Sequence, residues 1–394
     1  MSAAPGPAMS AWLGSWRREW ARLRASPLDL LLISLFPLAL GLLMLWSFAA
    51  GQATQLPIAV LDQDHSGLSR QLQRMLDAAP GLRLAEPASD EAQAREALRA
   101  GRVYALLVIP QGLARELKSG RAAHVSLLHN AQFSTHSGLI QKDVRSVVGT
   151  LSAGIEILAR EKRGQPALAA AGGFEPLRAG LGSAYNPGLN YQQFLATALM
   201  PALLHLLAMV AGAWSVGREL REATVNAWLA QARGQAWPAL LGKLAPAWLL
   251  LLGVDLLILQ ALAQQGLLHQ GPALLALHGL MLALYLALGA AAALLARSLR
   301  LALSAAGFIT APAFAFSGIG FPLMAMPEGA RLWAEALPLT WVMQAQVGLL
   351  QQGWPATRAL PLMSLLATAS LALLALGAWR LPAVAADPRA WGRR

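Results

Sequence analysis

The chain has 394 residues, 56% of them hydrophobic and only 13% charged, with 31 Lys and Arg against 20 Asp and Glu and a net charge of +11. That is too apolar for a soluble protein, and the basic residues crowd beside apolar runs, which argues for membrane topology and against nucleic-acid binding. There is no cysteine, so disulfides and cysteine-based metal or redox sites are excluded.

Residues 1–27 are basic and rich in tryptophan. Trp12, Trp16, Trp20 and Leu23 share one helical face, and Arg17, Arg18, Arg22 and Arg24 lie largely off it. This reads as an amphipathic segment in the membrane interface, or as a plain topological anchor. Residues 28–50 form a first span. The apolar run is too long for a signal-peptide core, and Pro37 is placed to kink it.

Residues 51–190 change character, with fifteen Lys and Arg and twelve Asp and Glu and no run able to cross a bilayer. Leu56–Leu61, Leu82–Ala85, Val103–Ile109 and Ala122–His129 read as strands. Helical patterns near Ser66–Ala79, Ser89–Ala100 and Ser137–Lys162 alternate with them, which predicts a small α/β domain. Ser66 or Asp64 would cap the first of these helices and Ser89 the second. Asp62, Asp64 and His65 are chemically able to hold a metal, but a strand-to-helix turn needs the same residues for capping, so no metal site is assigned. Residues 164–190 are rich in Gly, Pro and Ala and read as a return linker.

Five more spans are expected at residues 192–216, 240–263, 273–296, 301–324 and 359–380, each near the roughly 20 apolar residues that a bilayer core requires. Residues 217–239 form a polar hinge between two of them. Residues 325–358 hold an apolar piece too short to span, which suggests a helix re-entering at one face. Six spans put both termini on one side. Residues 1–27, the hinge with Lys243, the turn at Arg297–Arg300 and the tail over 381–394 with Arg380 carry fourteen Lys and Arg, whereas the opposite short loops hold only Arg331 and Arg358. The positive-inside rule makes the first set cytoplasmic and the α/β domain exported. The fold class is therefore an α-helical integral membrane protein of six transmembrane helices with an inserted α/β extracytoplasmic domain.

Few residues offer chemistry. Asp255 and His278 fall at similar depth on neighbouring spans, where an ionisable group is costly. They would form either a proton or substrate contact or a pair that fixes helix register, and the second is the simpler reading. Lys243 should snorkel to the surface, and His205 should find a hydrogen bond inside the bundle. Gly242-Lys243 lacks a phosphate loop before it, so ATP hydrolysis is not expected of this chain. There is no HExxH and no GxSxG, and no catalytic residue is assigned.

Several motifs in order resemble one family. Asp62-Gln63-Asp64-His65-Ser66 resembles its D-x-D-x-S turn, and Asn186-Pro187 with Tyr191 and Phe194-Leu195 its entry to the second span. Arg218-Glu219-Leu220-Arg221-Glu222-Ala223-Thr224-Val225 resembles its cytoplasmic E-R-E-x-G-T motif, with Ala223 where glycine is usual. Leu229–Ala232 lacks the proline common after that motif, and Gly242–Pro246 resembles the start of the family's third span. Ser317, Gly318, Phe321 and Pro322 with Met326-Pro327 resemble its S-G-x-x-F-P-x-x-x-M-P signature, and Pro338, Thr340 and Gly353 its outer re-entrant region. The family is that of ABC-2 type transporter permeases, in the subgroup with a large external domain.

The resemblance implies an export permease in a bacterial inner membrane. Two copies, or a paralogous pair, would work with an ABC ATPase that holds ATP and magnesium, while this chain binds no cofactor. The hinge would couple to that ATPase through Arg218, Glu219, Leu220, Arg221, Glu222, Thr224, Val225 and Trp228, with Leu220, Thr224 and Trp228 seated in a groove of the partner. Without the resemblance the hinge could be only an interfacial helix. A drug-like or lipid-like substrate suits the apolar spans, and the external domain leaves room for a periplasmic adaptor or outer-membrane channel. A sensor or scaffold built on the external domain is the alternative, weakened by the absence of a sizeable cytoplasmic output domain.

Overall fold

The computed structural model describes residues 7–85, 88, 90–119, 121–162, 164, 185, 186, 189–390 and 392. They form two compact units, Gln52–Gly182 and Met1–Gly51 with Ser183–Arg394.

Helix α1 (Pro7–Ala25) opens the larger unit. Its buried stripe is Ala11, Ser15, Glu19 and Leu23, at four-residue spacing and so on one face. The tryptophans are not that stripe. Trp12, Trp16 and Trp20 stand beside it, half-buried, with successive ring centroids 5.2 and 5.7 Å apart. Helices α2 (Pro27–Ile33) and α3 (Leu35–Ser47) follow, broken at Ser34. Pro37 explains the break: it has no N–H to offer the Ile33 carbonyl, and its ring crowds that carbonyl.

The unit Gln52–Gly182 runs β1 (Leu56–Asp62), α4 (Gly67–Asp77), β2 (Leu82–Leu84), α5 (Glu91–Arg99), β3 (Ala105–Ile109), α6 (Leu113–Lys118), β4 (Ser126–His129) and α7 (Ser134–Lys162). The sheet order is β2-β1-β3-β4, with β1 parallel to both neighbours and β4 antiparallel to β3. The continuous apolar runs of β1 and β3 are what a strand covered on both faces requires. Ser66 caps α4, its hydroxyl accepting from Ser69 N at 3.0 Å. Asp90 caps α5 and accepts from Gln93 N at 2.7 Å, and Ser89, expected in that role, lies outside the described residues. Most of the expected linker over 164–190 lies outside the described residues.

The larger unit resumes with a π turn (Gln192–Ala196) leading into α8 (Thr197–Arg221), then α9 (Val225–Gln231), α10 (Ala236–Gln264) and α11 (Gly271–Ala296). After these come α12 (Leu299–Thr310), α13 (Glu328–Ala336), α14 (Pro338–Leu350) and α15 (Leu360–Ala385). Helix α11 is the most enclosed of the long helices. It meets α8 along a seam of small residues: a Cβ added at Gly212 would lie 2.1 Å from the Leu286 carbonyl oxygen, and one at Gly289 2.1 Å from that of Met209. Such close approach is how helices pack where no hydrophobic force drives them together.

One expected span is not a continuous helix. Among the described residues five helices are long and apolar enough to cross a membrane: Pro27–Ser47, Gln192–Arg221, Ala236–Gln264, Gly271–Ala296 and Ala356–Ala385. The sixth, expected over 301–324, stops as a helix at Thr310 and continues as turns and bends. Pro312 and Pro322 cannot donate to a helical ladder and disfavour helix at the residue before each, and Gly318 sits at φ 84°. The segment over 325–358, read as one short re-entrant helix, is two helices meeting at a corner.

Candidate functional site

The charged end of the larger unit holds a buried ionic cluster. Lys243, in the first turns of α10, is fully buried, so the expectation that it snorkels is corrected. Its Nζ lies 2.7 Å from Glu19 Oε2 on α1 and also contacts Glu219 Oε1 at the end of α8. Arg18 grips Glu219 with two parallel bonds of 3.0 Å, Nε to Oε1 and Nη2 to Oε2. That bidentate pairing raises the Arg18 pKa above the ordinary guanidinium value. Thr224 Oγ1 donates to Glu219 Oε2 at 2.5 Å. Arg22 bridges Glu19, 2.9 Å from Nε to Oε1, and Asp29 of α2, 2.5 Å from Nη1 to Oδ2. Asp29 Oδ2 also accepts from Trp214 Nε1 at 3.0 Å and Arg218 Nη1 at 3.2 Å. Arg18, Arg22, Arg218 and Lys243 thus balance Glu19, Asp29, Glu219 and Glu222, which lets so many charges share a partly dry site.

The hinge residues divide between this cluster and solvent. Leu220, Val225 and Trp228, expected to face a partner protein, are buried within the chain itself. Trp228 Nε1 donates to Ser15 Oγ at 2.8 Å, and Ser15 Oγ donates to the Ala239 carbonyl at 2.7 Å, so the indole ties α9 to α1 and α10. Gly242 makes room for this contact, since a Cβ there would meet the Trp12 carbonyl oxygen at 2.5 Å. The exposed side of the hinge is Glu222, Asn226, Ala227, Ala230, Gln231 and Arg233. Arg218 and Glu222 do pair, at 2.6 Å, near the surface. Arg221 contacts Glu222 at 3.5 Å and lies over the Trp214 ring.

Ala223 ends α8 with φ 56°, a left-handed conformation that costs a residue with a Cβ about 1–2 kcal/mol. Glycine at this position would remove that penalty. Ala223→Gly should therefore raise the stability of the purified chain by about 1 kcal/mol, read as a higher unfolding midpoint.

A second polar cluster lies toward the other end of α8. Pro201 cannot donate to Thr197, and the carbonyl it leaves free accepts from Gln346 Nε2 at 2.8 Å. This fixes the amide, so Gln346 Oε1 faces His278 Nε2 at 2.8 Å and Nε2 must carry a proton. The structure brings Asp255 and His278 together, with Nδ1 2.9 and 3.1 Å from the two carboxylate oxygens. Both side chains are only 1–2% exposed, so the contact is held out of water. Gln346 and Thr197 had no sequence signal beyond Pro201 itself. Asp255→Ala strands the ring of His278 and should destabilise the chain by about 3–5 kcal/mol, while Asp255→Asn, which keeps a hydrogen-bonding group beside Nδ1, should cost less. Thermal unfolding of the two variants checks the order.

The remaining candidate residues build corners. His205 Nδ1 lies 3.1 Å from the Pro201 carbonyl oxygen, and its ring meets Tyr285 edge-on. Ser317 Oγ donates to the Phe314 carbonyl at 2.7 Å, and Gly318 takes the positive φ that the next turn needs. Phe321 is exposed and Pro322 starts a short 3-10 turn. Pro338 opens α14, Tyr285 Oη takes the Leu339 N–H at 3.2 Å, and buried Thr340 donates to the Ala334 carbonyl at 2.6 Å. In the smaller unit Asp62 Oδ1 accepts from the N–H groups of Asp64 and His65, both at 3.0 Å, and Oδ2 from Ser69 and Gln73. Asp64 accepts from Gly112 N at 2.8 Å and Ala114 N at 3.1 Å. Its carboxyl is held below the ordinary range, first by the Ser66 hydroxyl and then by these amides. Among the described residues no cluster of three or more His, Cys, Asp or Glu has metal-binding geometry.

The family described as ABC-2 family transporter protein matches residues 29–379. The chain belongs to this family. No curated protein and no solved structure matches it. As an ABC-2 family member it is the multi-pass membrane component of an ABC transport system, and the family implies an ABC ATPase as its partner.

Proposed function

We propose that this chain is the export permease of an ATP-driven system, working as a homodimer or paralogous pair with two copies of a separate ATPase. Its charged end faces the cytosol of a bacterial inner membrane, and the unit Gln52–Gly182 stands outside. The observation that carries this reading is the cluster around Lys243. It joins α1, α8, α10 and the hinge through buried ion pairs, so a push on the hinge moves three helices together. The ATPase docks on the exposed side of the hinge, around Asn226, Ala230 and Arg233, and the buried residues pass the displacement on. The substrate is hydrophobic or amphipathic, in keeping with an apolar cavity of about 470 Å³ beside the cluster, walled by Leu28, Leu32, Val210 and Leu303.

The chain has no cysteine, so Asn226→Cys supplies a single thiol. A membrane-impermeant maleimide should label it in inside-out vesicles and not in intact cells. Reaction from outside would reverse the topology and end this account. Affinity purification of the tagged chain should also recover a nucleotide-hydrolysing subunit, and efflux into proteoliposomes should require both proteins and ATP.

A further inference from the structure

Helix α7 outruns the sheet it covers. Leu139, Ile140 and Val144 in its first half are buried in the core of the smaller unit. Farther along, Val148, Leu151 and Ile155 face α6 and the residues before β4 across a gap. The result is an open cleft of about 860 Å³, a size that accepts lipid-like or drug-sized ligands. Leu117 and Val125 complete its apolar floor. The rim is cationic: Lys118, Arg121, Arg160 and Lys162 line it with Glu156 as the only carboxylate among the lining residues. Glu156 is engaged with Arg160 at 2.7 Å, and Arg121 meets Glu116 only at 3.9 Å. An apolar trough with a basic mouth complements one chemistry, a hydrocarbon chain ending in a negative group.

We infer that this cleft binds a single-chain anionic amphiphile, its alkyl chain against Leu117, Leu151 and Ile155 and its carboxylate at Lys118, Arg121 and Lys162. Nothing in this rests on ATP or on a partner subunit, so the site stands or falls separately from the transport reading.

The test uses the full chain in phosphatidylcholine nanodiscs, with empty nanodiscs subtracted, and dansyl-tagged undecanoate as the fluorescent probe. The probe should bind saturably and be displaced by laurate. Lys118→Glu combined with Lys162→Glu changes only exposed residues and should weaken binding by at least about tenfold with an unchanged unfolding midpoint. Ile155→Trp fills the trough and should do the same, and the uncharged methyl ester of the probe should bind the wild type as poorly. Equal binding of the acid and the ester, or no effect of the lysine pair, overturns the proposal. Displacement by an acidic amphipathic peptide but not by laurate overturns it in favour of a protein partner.

Discussion

Lys243→Met should destabilise the chain by about 3–5 kcal/mol, the usual consequence of removing one partner of a buried ion pair. Among the described residues Lys243 is the only cation that touches both Glu19 and Glu219. Without it, Glu19 keeps Arg22, and Glu219 keeps Arg18 and Thr224, but the cluster is left with one negative charge too many. Adding Glu219→Gln removes that excess, so the double variant should be more stable than the sum of the single losses implies, with a coupling of at least about 1 kcal/mol. Strict additivity in that cycle would show that the lysine does not hold the two carboxylates together. Lys243→Arg should not substitute, because a planar fork cannot replace a compact ammonium placed between two acids.

Gly289→Ala should be as damaging for a different reason. Its new Cβ would lie 2.1 Å from the Met209 carbonyl oxygen and 2.7 Å from Ala213 N, both backbone atoms that cannot swing aside. Helices α8 and α11 would have to part, with a cost above the about 1–3 kcal/mol typical of an overpacked core. Gly212→Ala meets the Leu286 carbonyl in the same way. Gly253→Ala is the control: nothing lies within 4 Å of the added atom, and the change should stay within about 1 kcal/mol of wild type. Equal unfolding midpoints for Gly289→Ala and Gly253→Ala would show that the seam is not tight.

The sequence was most readable where one local rule decided the outcome. The strands of the smaller unit stand out as apolar runs closed by turn residues, and the Asp62–Ser66 turn follows from carboxylates that satisfy nearby N–H groups. The departure at Ala223 was visible too, and its positive φ explains why glycine suits the position. What stayed hidden depended on distant partners. Lys243 read as a snorkelling residue because Glu19, the acid that meets it from α1, lies far off in the sequence. The tryptophan stripe of α1 was clear, but tight contact with α10 selects the small residues beside it. Hydropathy alone drew the expected sixth span as one helix through Pro312, Gly318 and Pro322, where backbone geometry ends the helix. The Asp255–His278 contact was foreseeable from depth; Gln346, which orients it, comes from a helix that sequence gave no reason to place there.

Helix α8 is fastened near both extremities, at Thr197 by Gln346 and at Glu219 by Arg18 and Lys243, positions about 33 Å apart at helical rise. Between them the backbone contacts at Gly212 and Gly289 leave no slack for sliding. A helix held in this way resists sliding along its neighbour, and Pro201 is the one break in its ladder that the structure shows. Beyond the Thr197 end the winding widens at Gln192–Ala196, so the helix leaves its fixed stretch through a looser turn.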